Sequence, residues 1–114
     1  MENIIYNELI YRGYSVQVGV VEIFEDDKNG KTKRINLEAD FVASKGSQTY
    51  YIQSAYAMDT PEKEFQETRS LKNIKDSFKK IVIVRDPGPI RRDSDGIVYM
   101  GIEDFLLKEN SLEF

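Results

Sequence analysis

The sequence predicts a mixed α/β domain in which helices cover both faces of a β-sheet, and three observations lead to that class. Three strand-like segments separated by tight turns follow one another between residues 14 and 56. A helix-like segment comes next and leads into IVIV, a wholly apolar strand that is expected to be buried on both faces. Helix-like segments also stand near both ends. The predicted order is α-β-β-β-α-β-β-α, in one domain formed by residues 1–114.

The segment ENIIYNELIYR is predicted to form the first helix. Ile4, Ile5 and Leu9 fall on one arc at helical spacing, and Gly13 suits the position that follows a helix. Glu8 falls within the same apolar arc. Because acidic side chains are rarely buried without a partner, Glu8 is a candidate functional residue or a structural carboxylate bonded to a Tyr or a backbone N–H.

Residues 14–56 are predicted to form an antiparallel meander. YSVQVGVVEIF is rich in Val and aromatic residues, with Gly19 marking a bulge. Asn29-Gly30 is the strongest hairpin signal in the chain, and YYIQSAY reads as the third strand. The second strand, INLEADFVA, alternates and so predicts two faces: Ile35, Leu37, Ala39 and Phe41 on one, and Asn36, Glu38 and Asp40 on the other.

The second half begins with a helix that has a clear start signal. Thr60 is the predicted N-cap and Pro61 the first helical residue. The apolar residues that repeat at helical spacing after them are Phe65, Leu71, Ile74 and Phe78. KKIVIV is then a buried strand, RDPGPIRRDSDG a loop, IVYM the last strand and residues 102–110 a closing helix.

The composition excludes several kinds of chemistry. The 114 residues include no Cys and no His, so thiolate and imidazole nucleophiles, bases and metal ligands are absent, and a bound metal would be a hard cation such as Mg²⁺ or Mn²⁺. A net charge of −4 disfavours nucleic acid as a partner. No apolar run has the length of a membrane span, and MENIIYNELI lacks the basic start of a signal peptide, so a cytoplasmic location is expected.

Two polar side chains in neighbouring strands stand out. If the second and third strands pair, Asp40 and Gln53 are expected to face the same side of the sheet, and Ala55 shares the face of Gln53. The ordinary interpretations are a solvent-facing acid beside Glu38 and an amide that satisfies a sheet-edge or loop partner. The functional interpretation is a metal site.

The helix Glu, the strand Asp and the following Gln-x-Ala strand resemble the PD-(D/E)XK nuclease-like superfamily, which has a restriction-endonuclease-like core. More closely, NIIYNELIYRGYSVQVG, LEADFVA, YYIQSAY, LKNIKDSFKKIVIV and GIVYMGIEDFLL look like the C-terminal domain of two-domain prokaryotic ATPases that begin with an AAA-type P-loop domain. The resemblance covers nearly the whole chain. Because Met1 stands just before the matching region, the chain is expected to be an excised domain or a truncated reading frame.

The resemblance implies a degenerate nuclease site. In that superfamily two acids hold Mg²⁺ and a Lys stabilises the charge of the transition state. The implied metal ligands are Glu8, Asp40 and Gln53, while Ala55 stands where the Lys belongs. Gln53 has no charge and Ala55 supplies none, and Arg69 on the next helix is the nearest replacement cation by topology.

Three functions follow from the resemblance and the residues. The first is a catalytically degenerate domain that serves as a binding module of an ATP-binding protein, with an N-terminal AAA-type ATPase domain as its partner. The second is a nuclease dependent on Mg²⁺ or Mn²⁺, with a rearranged site formed by Glu8, Asp40, Gln53 and Arg69. The third is a structural dimerisation or regulatory module.

Overall fold

The computed structural model describes residues 1–56, 60–74, 76–86 and 88–113, with the backbone alone described at Val21. The helices are α1 (Glu2–Tyr11), α2 (Pro61–Lys72) and α3 (Ile102–Leu107), followed by a 3₁₀ turn (Ser111–Glu113). The strands are β1 (Ser15–Asp26), β2 (Thr32–Lys45), β3 (Gln48–Ala55), β4 (Lys79–Val84), β5 (Arg91–Arg92) and β6 (Val98–Gly101).

Within the described residues the strands form one mixed six-stranded sheet in the order β1-β2-β3-β4-β6-β5. Strands β1, β2 and β3 are the predicted antiparallel meander. Helix α2 then crosses over so that β4 lies parallel to β3, and β6 lies parallel to β4. The predicted mixed sheet with helices on both sides is therefore confirmed. The two-residue β5 pairs antiparallel with β6 inside the segment predicted as a loop.

The core has two parts, one on each face of the sheet. Strand β4 shows this most directly, because Ile81 and Ile83 belong to one cluster and Val82 to the other. Helices α1 and α3 cover the first face, which is called the α1 face below, and contribute Ile5, Leu9 and Phe105. Helix α2 covers the opposite face, the α2 face, through Leu71. The predicted burial of IVIV is confirmed for its first three residues, which are fully buried.

The predicted start of α2 and the predicted turn after α1 are confirmed. Thr60 caps α2 by accepting a hydrogen bond from the backbone N–H of Lys63 at 3.2 Å, and Pro61 begins the helix. Helix α2 ends at Lys72, so the prediction that its apolar repeat continues to Phe78 is wrong. Lys75 lies outside the described residues. After α1 the chain turns at Gly13, whose φ of +91° is the left-handed conformation that glycine adopts without strain.

The two apolar arcs predicted from helical spacing are too wide. On α1 the buried residues are Ile5 and Leu9, whereas Ile4 is 51% exposed. On α2 Phe65 is 60% exposed. Each helix therefore buries fewer apolar residues than its spacing predicts, and α2 buries Thr68 and Ser70 beside Leu71.

A β-bulge lies in β2 directly opposite Val18. Gln17 pairs with Val42 and Gly19 pairs with Ala39, so three steps along β2 match two steps along β1. Asp40 and Phe41 of β2 together lie opposite Val18 of β1, so β2 has one extra residue at this point. Beyond it, the side chains of β2 point to the opposite faces from those that simple alternation predicts. Ala39 belongs to the α2-face core and Phe41 packs on the α1-face core, so the prediction that they share one face is wrong.

Gly19 is required by the close approach of β2. A Cβ at this position would lie 2.8 Å from Cγ2 of Val42 and 3.3 Å from Cβ of Ala39. We expect Gly19→Ala to lower the free energy of unfolding by about 1–3 kcal/mol, because overpacked side chains cannot relax against a paired strand. Urea denaturation measures this. Gly88→Ala is the matched control, since nothing lies within 4 Å of its Cβ position, and equal losses in both variants would contradict the packing argument.

Candidate functional site

Strands β2 and β3 separate at the bulge, and the predicted site residues lie at that point. The backbone ladder between the two strands runs from Lys45–Gln48 to Phe41–Ile52. Strand β3 stays paired with β4 for three residues beyond Ile52, as far as Ala55. Backbone groups that would have continued the β2–β3 ladder must find other partners, since leaving them unpaired costs free energy.

Gln53 supplies one of those partners. Its side-chain oxygen Oε1 accepts a hydrogen bond from the backbone N–H of Asp40 at 3.0 Å. The amide in the middle of the strand thus replaces a ladder bond that the bulge removes. This is the structural role that the sequence left open for Gln53.

Asp40 supplies the reciprocal bond. Its Oδ2 accepts from the backbone N–H of Ser54 at 2.9 Å and from the Ser54 hydroxyl at 2.7 Å. The Ser54 hydroxyl also lies 3.5 Å from Oε1 of Glu2, at the start of α1. The carboxylates of Glu2 and Asp40 therefore approach one serine hydroxyl, on the α1 face of the sheet.

The expectation that Asp40 and Gln53 face the same side is wrong. Gln53 lines a groove under α2, beside Pro61 and Arg69. Asp40 bonds the next residue of β3, Ser54, whose side chain points to the opposite face. The bulge causes the difference, because an inserted residue changes the face of every side chain that follows it.

Ala55 is part of the core. It is 3% exposed and belongs to the α2-face cluster with Ala39, Leu71 and Val82. A Lys at this position would have to bury its ammonium group among apolar side chains, which is unfavourable without a partner. Ala55, where the sequence resemblance implied a Lys in the nucleases, is therefore an apolar packing position in this chain.

Glu8 lies in a different part of α1 from Glu2. The two carboxylates are separated by six residues, about 9 Å along a helix. Oε1 of Glu8 accepts from Nε of Arg12 at 3.2 Å, one turn later. Glu8 thus positions an arginine and is not brought together with Asp40.

Arg12 connects α1 to the C-terminal segment, a role that was not predicted from the sequence. Its guanidinium donates to the hydroxyl of Ser111 at 2.8 Å and to the backbone carbonyls of Phe105 and Lys108. The same group stacks on the ring of Phe105, with Cζ 4.8 Å from the ring centroid. The spacing of Glu8 and Arg12 was a visible signal of an ion pair, but its distant partners were not.

Arg69 lies on the α2 face and forms an ion pair with Glu25 of β1. The groove beside it has a volume of about 630 Å³ and is bounded by α2, β2 and β3. Its lining includes the apolar side chains of Leu37 and Phe65. The structure therefore brings Arg69 near Gln53 but places it across the sheet from Asp40. Within the described residues, no three acidic side chains are grouped so that they could hold one metal ion.

Two tyrosine–aspartate pairs support the sheet on the α2 face. The Tyr51 hydroxyl donates to Oδ2 of Asp76 at 2.6 Å, and the Tyr99 hydroxyl donates to Oδ2 of Asp93 at 2.7 Å. The bond to Asp76 raises the pKa of Tyr51 to about 12, with burial as the second cause. Burial, followed by the bond to Asp93, raises the pKa of Tyr99 above its ordinary value. Both tyrosines are donors that keep their protons at neutral pH.

Because of these two pairs, we expect the free energy of unfolding to fall in alkaline solution. The folded chain keeps protons that the unfolded chain releases near pH 10, so the free energy of unfolding should fall as the pH rises from 10 towards 12. Tyr51→Phe should be less stable than the original chain at neutral pH, and the difference should shrink across this window. Urea denaturation at a series of pH values measures it. A difference that stays constant from pH 9 to pH 12 would contradict the assignment.

No family model and no solved structure matches this chain. A protein from Haemophilus influenzae (strain ATCC 51907 / DSM 11121 / KW20 / Rd), described as "Uncharacterized protein", is 35% identical over 108 residues. These residues are 95% of this chain and 23% of the relative, so the chain spans less than a quarter of the length of the relative it matches. None of the helices in the described part of the chain is long and apolar enough to cross a membrane.

Proposed function

We propose that this chain is a nuclease-like domain without nuclease activity, and that it serves as an interaction module of a longer ATP-binding protein. One observation carries the proposal. The side chains of Asp40 and Gln53 each accept a hydrogen bond from a backbone N–H that the separation of β2 and β3 would otherwise leave unpaired. Residues at the positions of the catalytic acids thus have a structural task, which explains their presence without a reaction.

The remaining positions support the same proposal. Ala55 is buried among apolar side chains, at the position where the nucleases that this chain resembles carry a Lys. Glu8 is paired with Arg12, and Arg69 is paired with Glu25 on the far face of the sheet. A metal-dependent nuclease needs two acids and a cation around one phosphate. In this chain Glu8 lies beside Arg12, Asp40 beside Ser54, and Arg69 beside Glu25 on the opposite face of the sheet.

The relative from Haemophilus influenzae supports the module architecture. More than three quarters of that protein lies outside the matching region, which leaves room for further domains. We propose that this remainder includes an AAA-type ATPase domain, and that the module acts in the cytoplasm with it. Binding of ATP by the whole relative, retained after deletion of the matching 108 residues, is the expected result. A whole relative that binds no ATP would overturn the ATPase part of the proposal.

A nuclease assay with Mn²⁺ tests the absence of catalysis. We expect no cleavage of single-stranded or double-stranded DNA or RNA by this chain. Asp40→Asn and Glu38→Gln form the variant and its control, because Glu38 is an exposed neighbour on the same strand. Cleavage that Asp40→Asn removes and Glu38→Gln retains would overturn the proposal. Circular dichroism confirms that both variants are folded.

One contact favours a second candidate, a Mg²⁺- or Mn²⁺-dependent nuclease whose site differs from the predicted set of Glu8, Asp40, Gln53 and Arg69. The Ser54 hydroxyl lies within 3.5 Å of carboxylate oxygens from both Glu2 and Asp40. Carboxylate and hydroxyl oxygens suit these cations. Calorimetric titration with Mn²⁺ separates the candidates, since this one requires binding that is lost in both Glu2→Gln and Asp40→Asn. Binding that neither substitution changes would exclude this site.

A further inference from the structure

The groove on the α2 face lies where β2 and β3 separate. It has a volume of about 630 Å³ and is bounded by α2 on one side and by the two diverging strands on the other. Small-molecule sites in proteins are clefts of roughly 300–1,000 Å³ with largely apolar walls and a few polar groups that fix the ligand. The groove has the size of such a site, and its side chains indicate which ligand it suits.

The helix side of the groove contains a buried hydroxyl that has no hydrogen-bond partner among the described residues. Ser70 lines the groove and is 6% exposed. The other two buried polar side chains of the described ranges are satisfied. Thr68 donates to the carbonyl of Glu64 at 2.6 Å, and Ser111 donates to the carbonyl of Phe105 at 3.0 Å. No fully enclosed side-chain oxygen in these ranges is unpaired, so the Ser70 oxygen opens into the groove, where a ligand can bond it.

The strand side of the groove presents the amide of Gln53. Its Oε1 accepts from the backbone N–H of Asp40 at 3.0 Å, which fixes the orientation of the amide because only its oxygen is an acceptor. The two N–H donors on Nε2 bond no other residue in the part of the chain that the structure describes. Since Gln53 lines the groove, these donors are available to a ligand there.

The groove has no excess of positive charge. Arg69, the cation among its described lining residues, forms an ion pair with Glu25, and Glu38 and Glu62 also line the groove. An anionic ligand would meet these carboxylates, while the charge of Arg69 is already neutralised. An ammonium group would have no acceptor for the N–H donors of Gln53. An uncharged ligand with hydrogen-bond acceptors suits both conditions.

Apolar side chains complete the lining. Leu37 of β2 and Pro61 and Phe65 of α2 border the groove, and Phe65 is 60% exposed. An aromatic ring that packs on Phe65 gains more than the burial of its area alone, because offset and edge-to-face ring pairs are themselves favourable. The walls therefore suit a flat ring.

We propose that this groove binds a small, uncharged aromatic ligand that carries a carbonyl acceptor, such as an aryl amide. Its acceptor takes an N–H of Gln53, its polar end bonds the hydroxyl of Ser70, and its ring packs against Phe65. Gln53 thus has two roles, since its oxygen holds the junction of β2 and β3 while its nitrogen binds the ligand. The site is independent of the proposed function, so the nuclease and ATPase tests can fail without affecting it, and its own failure leaves them unaffected.

A titration followed by ¹⁵N NMR tests the site with three probes that share one ring. At neutral pH benzamide is uncharged, benzoate is an anion and benzylamine is a cation. We expect benzamide to bind at least about fivefold more tightly than the other two, because it alone satisfies the donors without an unpaired charge. It should also shift the side-chain NH₂ signals of Gln53. Benzoate or benzylamine that binds as tightly as benzamide would overturn the ligand class. Gln53 signals that stay constant up to the solubility limit of benzamide would overturn the site.

Two substitutions with matched controls locate the binding. Ser70→Ala removes the hydroxyl and should weaken benzamide binding about fivefold, the effect of one hydrogen bond, while Ala is well suited to a helix and retains the fold. Phe65→Ala removes the ring contact and should weaken binding by about the same factor. Ser94→Ala and Phe24→Ala are the controls, since both residues are exposed and neither lines the groove. Affinity that is unchanged in Ser70→Ala and Phe65→Ala, or lowered equally in the two controls, would overturn the inference.

Discussion

Replacing Arg12 by Ala should lower the free energy of unfolding by about 3–5 kcal/mol, the largest effect that we expect from a single substitution in this chain. The side chain is 11% exposed and bonds Glu8, Ser111 and two backbone carbonyls. Its removal leaves the partly buried carboxylate of Glu8 without its partner. It also removes the contact that holds α1 to the C-terminal segment, about 95 residues away.

Urea denaturation at neutral pH measures this loss, with Arg34→Ala as the control. Arg34 is 64% exposed and, among the described residues, pairs with Glu22 at 3.7 Å, so its removal should change stability by less than about 1 kcal/mol. Arg12→Lys keeps the charge but cannot reproduce the planar set of donors, so it should recover only part of the loss. Full recovery in Arg12→Lys would show that charge alone matters at this position.

Asp40→Ala should lower the free energy of unfolding by about 2–4 kcal/mol. Two hydrogen bonds to a carboxylate disappear, and the backbone N–H of Ser54 loses its acceptor between the separating strands. Asp40→Asn should cost less, because the amide oxygen can still accept from that N–H. Glu38→Ala is the control, since Glu38 is exposed two residues earlier on β2.

Gln53→Ala tests the same junction of β2 and β3 from the side of β3. The substitution leaves the backbone N–H of Asp40 without its acceptor. Because the two bonds hold one junction, the losses in Asp40→Ala and Gln53→Ala should not add up in the double variant. Strict additivity would show that the two bonds act independently. Loss of stability in Glu38→Ala equal to that in Asp40→Ala would show that the junction is not the cause.

Local signals in the sequence were sufficient for most of the fold. Asn29-Gly30 predicted a hairpin turn, in which Gly30 has the left-handed φ of +76° that favours glycine, and Thr60-Pro61 predicted a helix start because the two residues satisfy and preset the first turn. The wholly apolar IVIV predicted a strand covered on both faces. Each of these features depends on residues that are adjacent in the chain, and so it can be read without knowledge of the partners.

The candidate site was less predictable, because the contacts that define it join distant residues. Asp40 and Gln53 stood out in the sequence as polar residues within strands, but their faces were assigned by simple alternation. One additional residue in β2 relative to β1 reverses that alternation. Its position depends on the register between strands. Glu2 and Ser54 gave no signal in the sequence, since their relation to Asp40 exists only when α1 packs over β3.

The sequence by itself determined the class of the fold, the order of its elements apart from β5 and the exclusion of Cys and His chemistry, because composition and short-range propensity are properties of the chain alone. Only the tertiary structure decided which side chains meet. It assigned Gln53 and Asp40 to the junction of β2 and β3, Arg12 to the contact between the two ends of the chain, and Ala55 to the core. Strand register and helix packing made those assignments, since both are set by the burial of many residues together.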